Sequence, residues 1–243
     1  MASLNLMESG FVMIARIKYA KTDVLKYISH LDLQRCFHRL MRRAEIEMRY
    51  SEGFNPHPKV SYAMAMPVGM TSEGEYLDVE ILSSKNENEI KEQLNKYAPK
   101  GLEILQVKII DKPIKSLTSI INEGIFIISM PLTDCYTIEE IEKIFDSIMS
   151  KDTIEIAKKN KKGKEVIKNI RPFIKTMEIL DIIETNLKFK IGISIGSREN
   201  LNPRVLMDYM KNNFSIFEFE SFGEIHRIDM KIENDINPID YIQ

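Results

Sequence analysis

Hydrophobic residues recur with a helical period between Ser29 and Ala44. At about 100° per residue, one side collects apolar residues: Leu33, Cys36, Phe37, Leu40, Met41 and Ala44. The opposite side collects polar and charged residues: Asp32, Arg35, His38, Arg39, Arg42 and Arg43. Ser29 is a favourable N-cap, and Asp32 three residues later can close a capping box. The pattern therefore predicts an amphipathic helix that begins at Ser29 and buries its apolar side.

Other segments of the first half alternate with a period of two, which is typical of strands. Predicted strands cover residues 11–20, 75–82 and 102–110, with short extended pieces at 49–51 and 60–66 and a second helix at 86–97. The resulting order is βαββαβ. An antiparallel sheet covered by two helices, the ferredoxin-like arrangement, is the economical fold for this order.

The second half repeats the order with an extra hairpin. Predicted strands cover 124–130, 154–157, 166–170, 174–183, 187–195 and 215–233, and predicted helices cover 137–150 and 203–211. We therefore predict an α+β protein with two tandem ferredoxin-like domains built on antiparallel sheets. The predicted boundaries are a mobile extension at 1–10, a first domain at 11–112, a linker at 113–122 that contains Pro113, and a second domain at 123–243.

The stretch that follows the first helix is the second feature of interest. Ser51-Glu52-Gly53 favours a turn, and two X-Pro steps around His57 restrict the backbone to an extended path. A stiff loop holds its side chains in place. Phe54 offers a stacking plane, and Asn55, His57 and Lys59 can hydrogen-bond a base or a phosphate.

The formal net charge is -2, so nucleic-acid binding would depend on local basic patches. No acidic residue lies between Asp32 and Glu45, which distinguishes the first helix from a surface helix with mixed charges. Phosphate contacts are predicted for its basic side: Arg35, His38, Arg39, Arg42 and Arg43. A second group is predicted in the other half: Lys161, Lys162, Lys164, Arg171 and Arg198. Ordinary solvated surfaces are the alternative for both groups.

Several stretches also resemble a known family. They are YISHLDLQRCFHRLMRRAEI, YSEGFNPHPKVSYAMAMPVG and GEYLDVEI, continued by Ile170-Arg171-Pro172, Asn200-Leu201-Asn202-Pro203 and Ile225-His226-Arg227. The sequence resembles the bacterial radical-SAM-linked proteins, a domain of unknown function that occurs alone or attached to a radical SAM enzyme. The resemblance implies an association with a radical SAM enzyme and, more loosely, with RNA metabolism. It implies no reaction.

Cysteine and histidine usage limits the chemistry. Cys36 and Cys135 lie far apart, without the spacing of a disulfide framework, a zinc site or an iron–sulfur cluster. The chain is therefore not expected to be a radical SAM enzyme itself, and no metal or cofactor is predicted. His30, His38 and His57 are candidates for acid–base chemistry only. No apolar run is long enough to span a membrane, and a reduced cytoplasmic setting is expected.

These observations favour a non-catalytic RNA-binding or substrate-presenting protein that works with a radical SAM enzyme in RNA modification. Two alternatives stay open. One is a metal-independent endonuclease that processes RNA with His30, His38 or His57. The other is a protein-interaction module whose arginine side docks an acidic partner.

Overall fold

A computed structural model describes residues 13–82, 84–159, 163–197, 199–221 and 223–241. The chain divides into two compact units. The first unit contains the residues up to Ile121 together with the C-terminal segment from Ile232, and the second contains Asn122–Lys231. Both combine helices with antiparallel strand pairs, so the α+β class is confirmed.

The first unit contains four strands and three helices in its described part. They are β1 (Met13–Lys21), α1 (His30–Arg43), β2 (Val60–Tyr62), β3 (Thr71–Ile81), α2 (Glu87–Tyr97), β4 (Leu102–Ile110) and the short α3 (Leu117–Ile120). Within this unit the strands lie in the order β4-β1-β3-β2, and neighbouring strands are antiparallel. Short 3-10 turns cover Asp23–Tyr27, Glu233–Asp235 and Pro238–Asp240.

The core of this unit follows from the alternation of β1. Ala15, Ile17 and Tyr19 are buried in one hydrophobic cluster with the apolar side of α1. Tyr19 packs edge-on against Phe37 with ring centroids 4.7 Å apart. The helix α2 closes the same cluster and begins with a complete capping box, so the polar groups at the start of the helix are satisfied while its apolar stripe is buried.

Arg16 lies on the side of β1 opposite to Ala15 and Ile17, and it is fully buried. Its guanidinium donates to both carboxylate oxygens of Asp78 at 2.8 and 2.9 Å, and to the backbone carbonyls of Pro238 and Tyr241 at 2.7 and 2.9 Å. Burial raises the pKa of Asp78, while the bonds from Arg16 oppose that rise. The pair therefore fastens the C-terminal segment to the sheet of the first unit.

The second unit contains six strands and two helices in its described part. They are β5 (Glu123–Pro131), α4 (Ile138–Met149), β6 (Glu155–Lys159), β7 (Glu165–Asn169), β8 (Ile174–Ile183), β9 (Asn186–Ser194), α5 (Pro203–Asn213) and β10 (Glu224–Lys231). Within this unit the order is β10-β5-β9-β8 with antiparallel neighbours. The strands β6 and β7 form a separate two-stranded ribbon.

Alternating burial along β5 turns Phe126, Ile128 and Met130 towards the core of this unit. The helix α4 begins with a capping box at Thr137 and buries Phe145, whose ring lies 5.2 Å from that of Phe189 on β9. Hydrophobic burial on one side of the sheet therefore fixes the register of these strands.

The structure differs from the sequence-based prediction in three places. The segment 113–122, predicted as a linker, contains α3, and its Leu117 is fully buried. The strand predicted at 215–233 is shorter, Glu224–Lys231, because the chain turns at Gly223, which has a φ of 58°. The segment from Ile232 belongs to the first unit rather than the second. The extension predicted at 1–10 lies outside the described residues, and the independence of the two domains stays a prediction.

Candidate nucleic-acid interface

The amphipathic helix α1 begins where its cap residue predicts. The Ser29 hydroxyl accepts a hydrogen bond from the backbone N–H of Asp32 at 3.1 Å and donates to the Asp32 carboxylate at 2.7 Å. The bond from the Ser29 hydroxyl lowers the pKa of Asp32. It takes the place of the bond that the predicted capping box would make, from the backbone N–H of Ser29 to the Asp32 carboxylate. The first turn of the helix is therefore held by its own side chains.

The basic side of α1 is exposed to solvent, as the angular pattern predicts. Arg35 donates to Asp32 at 3.2 Å, and this pair is exposed at both ends. Arg39, Arg42 and Arg43 are exposed, and none of them forms an ion pair with any residue that the structure describes. Unpaired guanidinium groups on one helix side form a positive surface with free bidentate donors.

The loop that follows α1 is a small hairpin, residues 49–59, here called the central hairpin. The backbone N–H of Ser51 donates to the carbonyl of His57 at 2.9 Å, and the N–H of His57 donates to the Ser51 hydroxyl at 3.0 Å. Arg49 and Lys59 pair through the backbone and also bond to the backbone of Glu80 on β3. The central hairpin is therefore anchored to the sheet at its base.

Side chains at the base of the central hairpin are also paired. Glu80 accepts a bond from Arg49 at 3.3 Å and lies 3.6 Å from the Lys59 ammonium group. Lys59, which the sequence predicts as a nucleotide contact, is thus partly neutralised. It lines an open groove of about 310 Å³ together with Ser61, Glu80 and Lys115.

The tip of the central hairpin projects into solvent. Phe54 is 112 % exposed, which means that its ring contacts nothing else in the described structure. Asn55 and His57 are exposed as well. Gly53 has a φ of 115°, a conformation that glycine adopts freely, so the turn before Phe54 depends on it. Phe54 therefore takes no part in the hydrophobic core of the first unit.

The central hairpin lies beside α1. Burial lowers the pKa of the half-buried His38, and the positive charge of His57 lowers it further. The second arm of the hairpin continues into β2, whose Tyr62 packs edge-on against Phe37 of α1 with ring centroids 6.2 Å apart. His38 lies one helical turn before Arg42, so it adjoins the exposed arginines on the same helix.

His30, the third histidine of this stretch, has a different setting. Its Nε2 lies 3.0 Å from the Gln34 amide nitrogen, and its ring lies 5.3 Å from the ring of Tyr62. The Tyr62 hydroxyl is buried without a hydrogen-bond partner in the described structure. Burial raises the pKa of Tyr62, and a negative charge on Cys36 in its thiolate form would raise it further, so the phenol stays neutral. These contacts hold His30 in the first turn of α1, against Tyr62.

Of the basic residues predicted in the second half, the structure describes Arg171 and Lys164. Arg171 donates to the carbonyl of Met149 at 2.6 and 3.1 Å and to that of Ile174 at 2.8 Å, so its guanidinium serves the second unit internally. Lys164 is exposed near the tip of the ribbon formed by β6 and β7. Lys161, Lys162 and Arg198 lie outside the described residues.

Two features of the described part of the chain bear on other functions. None of its helices has the length and apolar character needed to cross a bilayer. Among the same residues, no group of three or more His, Cys, Asp or Glu side chains is placed to hold a metal ion.

Residues 15–203 match the family described as "Uncharacterized protein conserved in bacteria (DUF2344)", and the chain belongs to this family. A bacterial domain of unknown function is therefore established. The association with radical SAM enzymes is not part of that description. A comparison with curated proteins found no match.

Some solved structures align with 91% of this chain at low sequence identity. One is a "Cbf5-Nop10-Gar1 Complex", with 10% identity, a TM-score of 0.49, and coverage of 91% of this chain and 49% of the other. Another is an "H/ACA RNP bound to a substrate RNA containing 2'-deoxyuridine", with 10% identity, a TM-score of 0.46, and coverage of 91% and 48%. This chain spans about half the length of those chains.

Proposed function

We propose that the protein binds RNA through the exposed arginines of α1 and does not itself catalyse a reaction. The observation that carries the proposal is the exposure of Arg39, Arg42 and Arg43, whose guanidinium groups form no ion pair with the residues that the structure describes. A surface helix selected only for solubility mixes acids and bases at i,i+4 spacing. Here the one acid on the exposed side, Asp32, is already shared by Ser29 and Arg35.

Phosphate is the anion that suits this surface. Each guanidinium group can donate two parallel hydrogen bonds to phosphate oxygens. A row of guanidinium groups can contact successive phosphates of a nucleic-acid backbone, whereas a single carboxylate would occupy only one of them. His38 and His57 extend the surface towards the central hairpin, and each adds a positive charge when protonated. The slightly negative net charge confines binding to this local patch.

The test is charge reversal at two exposed positions, Arg39→Glu and Arg42→Glu together, with affinity for RNA measured over a range of salt concentrations. We expect affinity to fall by at least roughly tenfold. The slope of log K against log salt should flatten by about 0.7 for each phosphate of a single strand that the variant no longer neutralises.

Reversal of Lys100 and Lys112 to Glu is the matched control, because both are exposed and lie outside α1 and the central hairpin. That variant has the same net charge as the test variant. An equal fall in affinity in the two variants would mean that net charge alone matters, and an unchanged affinity in the test variant would refute the proposed surface.

The radical SAM partner is part of the proposal and rests on the family resemblance of the sequence. We propose that the chain presents RNA to such an enzyme in the cytoplasm, a setting that fits its two free cysteines. Affinity purification of the tagged protein from native cells should recover a radical SAM enzyme in an RNA-dependent manner. Recovery of RNA without any such enzyme would remove the partner from the proposal.

A second candidate function uses two histidines of the first unit, His38 on α1 and the exposed His57 of the central hairpin. Two imidazoles beside cationic groups could act as general base and acid in cleavage at the RNA 2′-hydroxyl. Incubation of labelled RNA with the protein in a metal chelator distinguishes the two functions. Cleavage that is lost in His57→Gln would favour the endonuclease, whereas intact RNA supports a binding protein.

A third candidate is a docking module for an acidic protein. Two exposed apolar side chains would suit a protein surface as well as RNA: Leu31, at 54 %, lies one helical turn before Arg35, and Tyr27, at 64 %, lies in the turn that precedes α1. Competition separates the two: RNA should displace an acidic partner captured through this surface if the arginines bind both.

We also propose that each unit is a ferredoxin-like domain. The support is the strand order within each unit, β4-β1-β3-β2 and β10-β5-β9-β8. In chain order a helix follows β1 and β3 in the first unit, and β5 and β9 in the second. In this scheme the ribbon of β6 and β7 is an insertion between α4 and β8.

A further inference from the structure

We infer that the RNA bound by this protein is single-stranded, and that the tip of the central hairpin stacks Phe54 on one unpaired base. The inference rests on the proposed function and goes further, because it names the class of RNA and the residue that selects it.

The first step is the exposure of Phe54. Its ring is 112 % exposed at the end of a hairpin, so it contributes no burial to the folded chain. Single exposed hydrophobic residues are ordinary on protein surfaces. Phe54 differs from such residues because both sides of its ring are open, which lets a flat ligand approach from either side.

The second step is the rigidity of the support. Two hydrogen bonds join Ser51 and His57 across the central hairpin, and the base of the hairpin is bonded to Glu80 on β3. Pro56 and Pro58 enclose His57 and fix the backbone further. A held aromatic ring binds with a smaller loss of conformational entropy than a ring on a flexible loop.

The third step is the position of the tip relative to the arginines. The second arm of the hairpin continues into β2, where the ring of Tyr62 lies 6.2 Å from the ring of Phe37 on α1. Phosphates bound along α1 would therefore bring the adjoining bases towards the hairpin. The exposed amide of Asn55 lies next to Phe54 and can hydrogen-bond an edge of the stacked base.

The final step concerns the form of the ligand. In a duplex the base faces are covered by their neighbours, so a projecting phenyl ring finds no free surface to stack on. A surface that read charge alone would also bind a duplex, which has the denser phosphate array. Phe54 therefore favours single-stranded RNA, whereas the arginines alone would favour a duplex.

The experiment compares three probes, each about ten residues long, a length within the usual footprint for single strands. They are an oligoadenylate, an abasic oligomer of the same sugar-phosphate length, and an RNA duplex. We expect the protein to bind the oligoadenylate roughly tenfold more tightly than the abasic oligomer, which is the typical contribution of one stacked base. The duplex should bind more weakly than the oligoadenylate.

Phe54→Ala should bind the oligoadenylate as weakly as the abasic oligomer while the salt dependence stays unchanged, because the phosphate contacts remain. Phe54→Trp should restore the preference. Phe219→Ala is the matched control: Phe219 is also an exposed phenylalanine, at 63 %, but lies in the second unit, and its removal should have no effect.

The outcomes distinguish this inference from the proposed function. Equal binding of all three probes, with sensitivity to Arg39→Glu and Arg42→Glu retained, would overturn the stacking role and leave RNA binding in place. Unchanged affinity in Phe54→Ala would do the same. No binding of any probe would overturn the proposed function itself.

Discussion

Arginine has two opposite roles in the first unit. Arg16 is fully buried, with its guanidinium bonded to Asp78 and to two carbonyls of the C-terminal segment. Arg39, Arg42 and Arg43 on α1 are exposed and have no ion-pair partner in the described structure. The same side chain serves the fold in one place and is left free for a ligand in the other.

The comparison shows what a buried arginine and an exposed arginine each require from their surroundings. A buried guanidinium loses its hydration, and only a complete set of acceptors compensates for that loss. An exposed guanidinium keeps its hydration and can exchange water for a phosphate at low cost. Fold stability should therefore depend on Arg16, and ligand affinity on the arginines of α1.

Removal of Arg16 should give the largest effect on stability. In Arg16→Met, Asp78 keeps its buried carboxylate without a cation, and the C-terminal segment loses two hydrogen bonds. We expect a loss of about 3–5 kcal/mol in the free energy of unfolding, measured by urea denaturation. The double variant Arg16→Met with Asp78→Leu should recover a large part of that loss. A loss below about 1 kcal/mol in the single variant would show that the pair is not structural.

Arg171 is the corresponding residue in the second unit, and it bonds to backbone carbonyls without a carboxylate partner. Arg171→Met leaves the carbonyls of Met149 and Ile174 without these donors. We expect a loss of about 1.5–3 kcal/mol in the free energy of unfolding, the usual range for hydrogen bonds from a charged group. RNA affinity should stay near the wild-type value. A fall in affinity without a fall in stability would return Arg171 to the binding surface.

Reversal of Arg39 and Arg42 to Glu should change stability little. Exposed substitutions of this kind usually alter the free energy of unfolding by no more than about 0.5 kcal/mol. The measurement is thermal denaturation of the variant used for the RNA experiment. If it unfolded as readily as Arg16→Met, then the exposed arginines would be structural, and the contrast between the two groups would fail.

The smallest effect should come from His38. Its pKa is lowered in the folded protein, so the unfolded chain binds more protons as the pH falls below the ordinary value of 6.5. Stability from this residue is therefore present above pH 6.5 and is lost as the pH decreases through the folded-state pKa. A series of melting temperatures between neutral and mildly acidic pH should fall less steeply in His38→Gln. Parallel curves would contradict the assignment.

The sequence predicts α1 well because its information is local. The Ser29 cap and the apolar period determine where the helix begins and which side it buries, and both agree with the structure. The central hairpin is harder to predict because its prolines indicate an irregular loop, whereas the Ser51 and His57 bonds form only when the two arms meet.

Long-range pairs were beyond prediction. Arg16 and Asp78 lie 62 positions apart, and nothing local shows that β1 and β3 place them opposite one another. The role of Arg171 was missed for a related reason, since its acceptors are carbonyls, which every residue possesses. The one signal for Arg16 in the sequence was the presence of an arginine within a predicted strand of mostly apolar residues.

The central claim is that RNA contacts α1 and the tip of the central hairpin. The most direct measurement is photo-crosslinking of a 4-thiouridine oligonucleotide to the full chain, followed by identification of the modified peptides. The account predicts crosslinks within residues 30–59, with Phe54 among the modified positions, and their disappearance when Arg39 and Arg42 are reversed to Glu. Crosslinks confined to other peptides, or crosslinks within 30–59 that persist in the reversed variant, would contradict it.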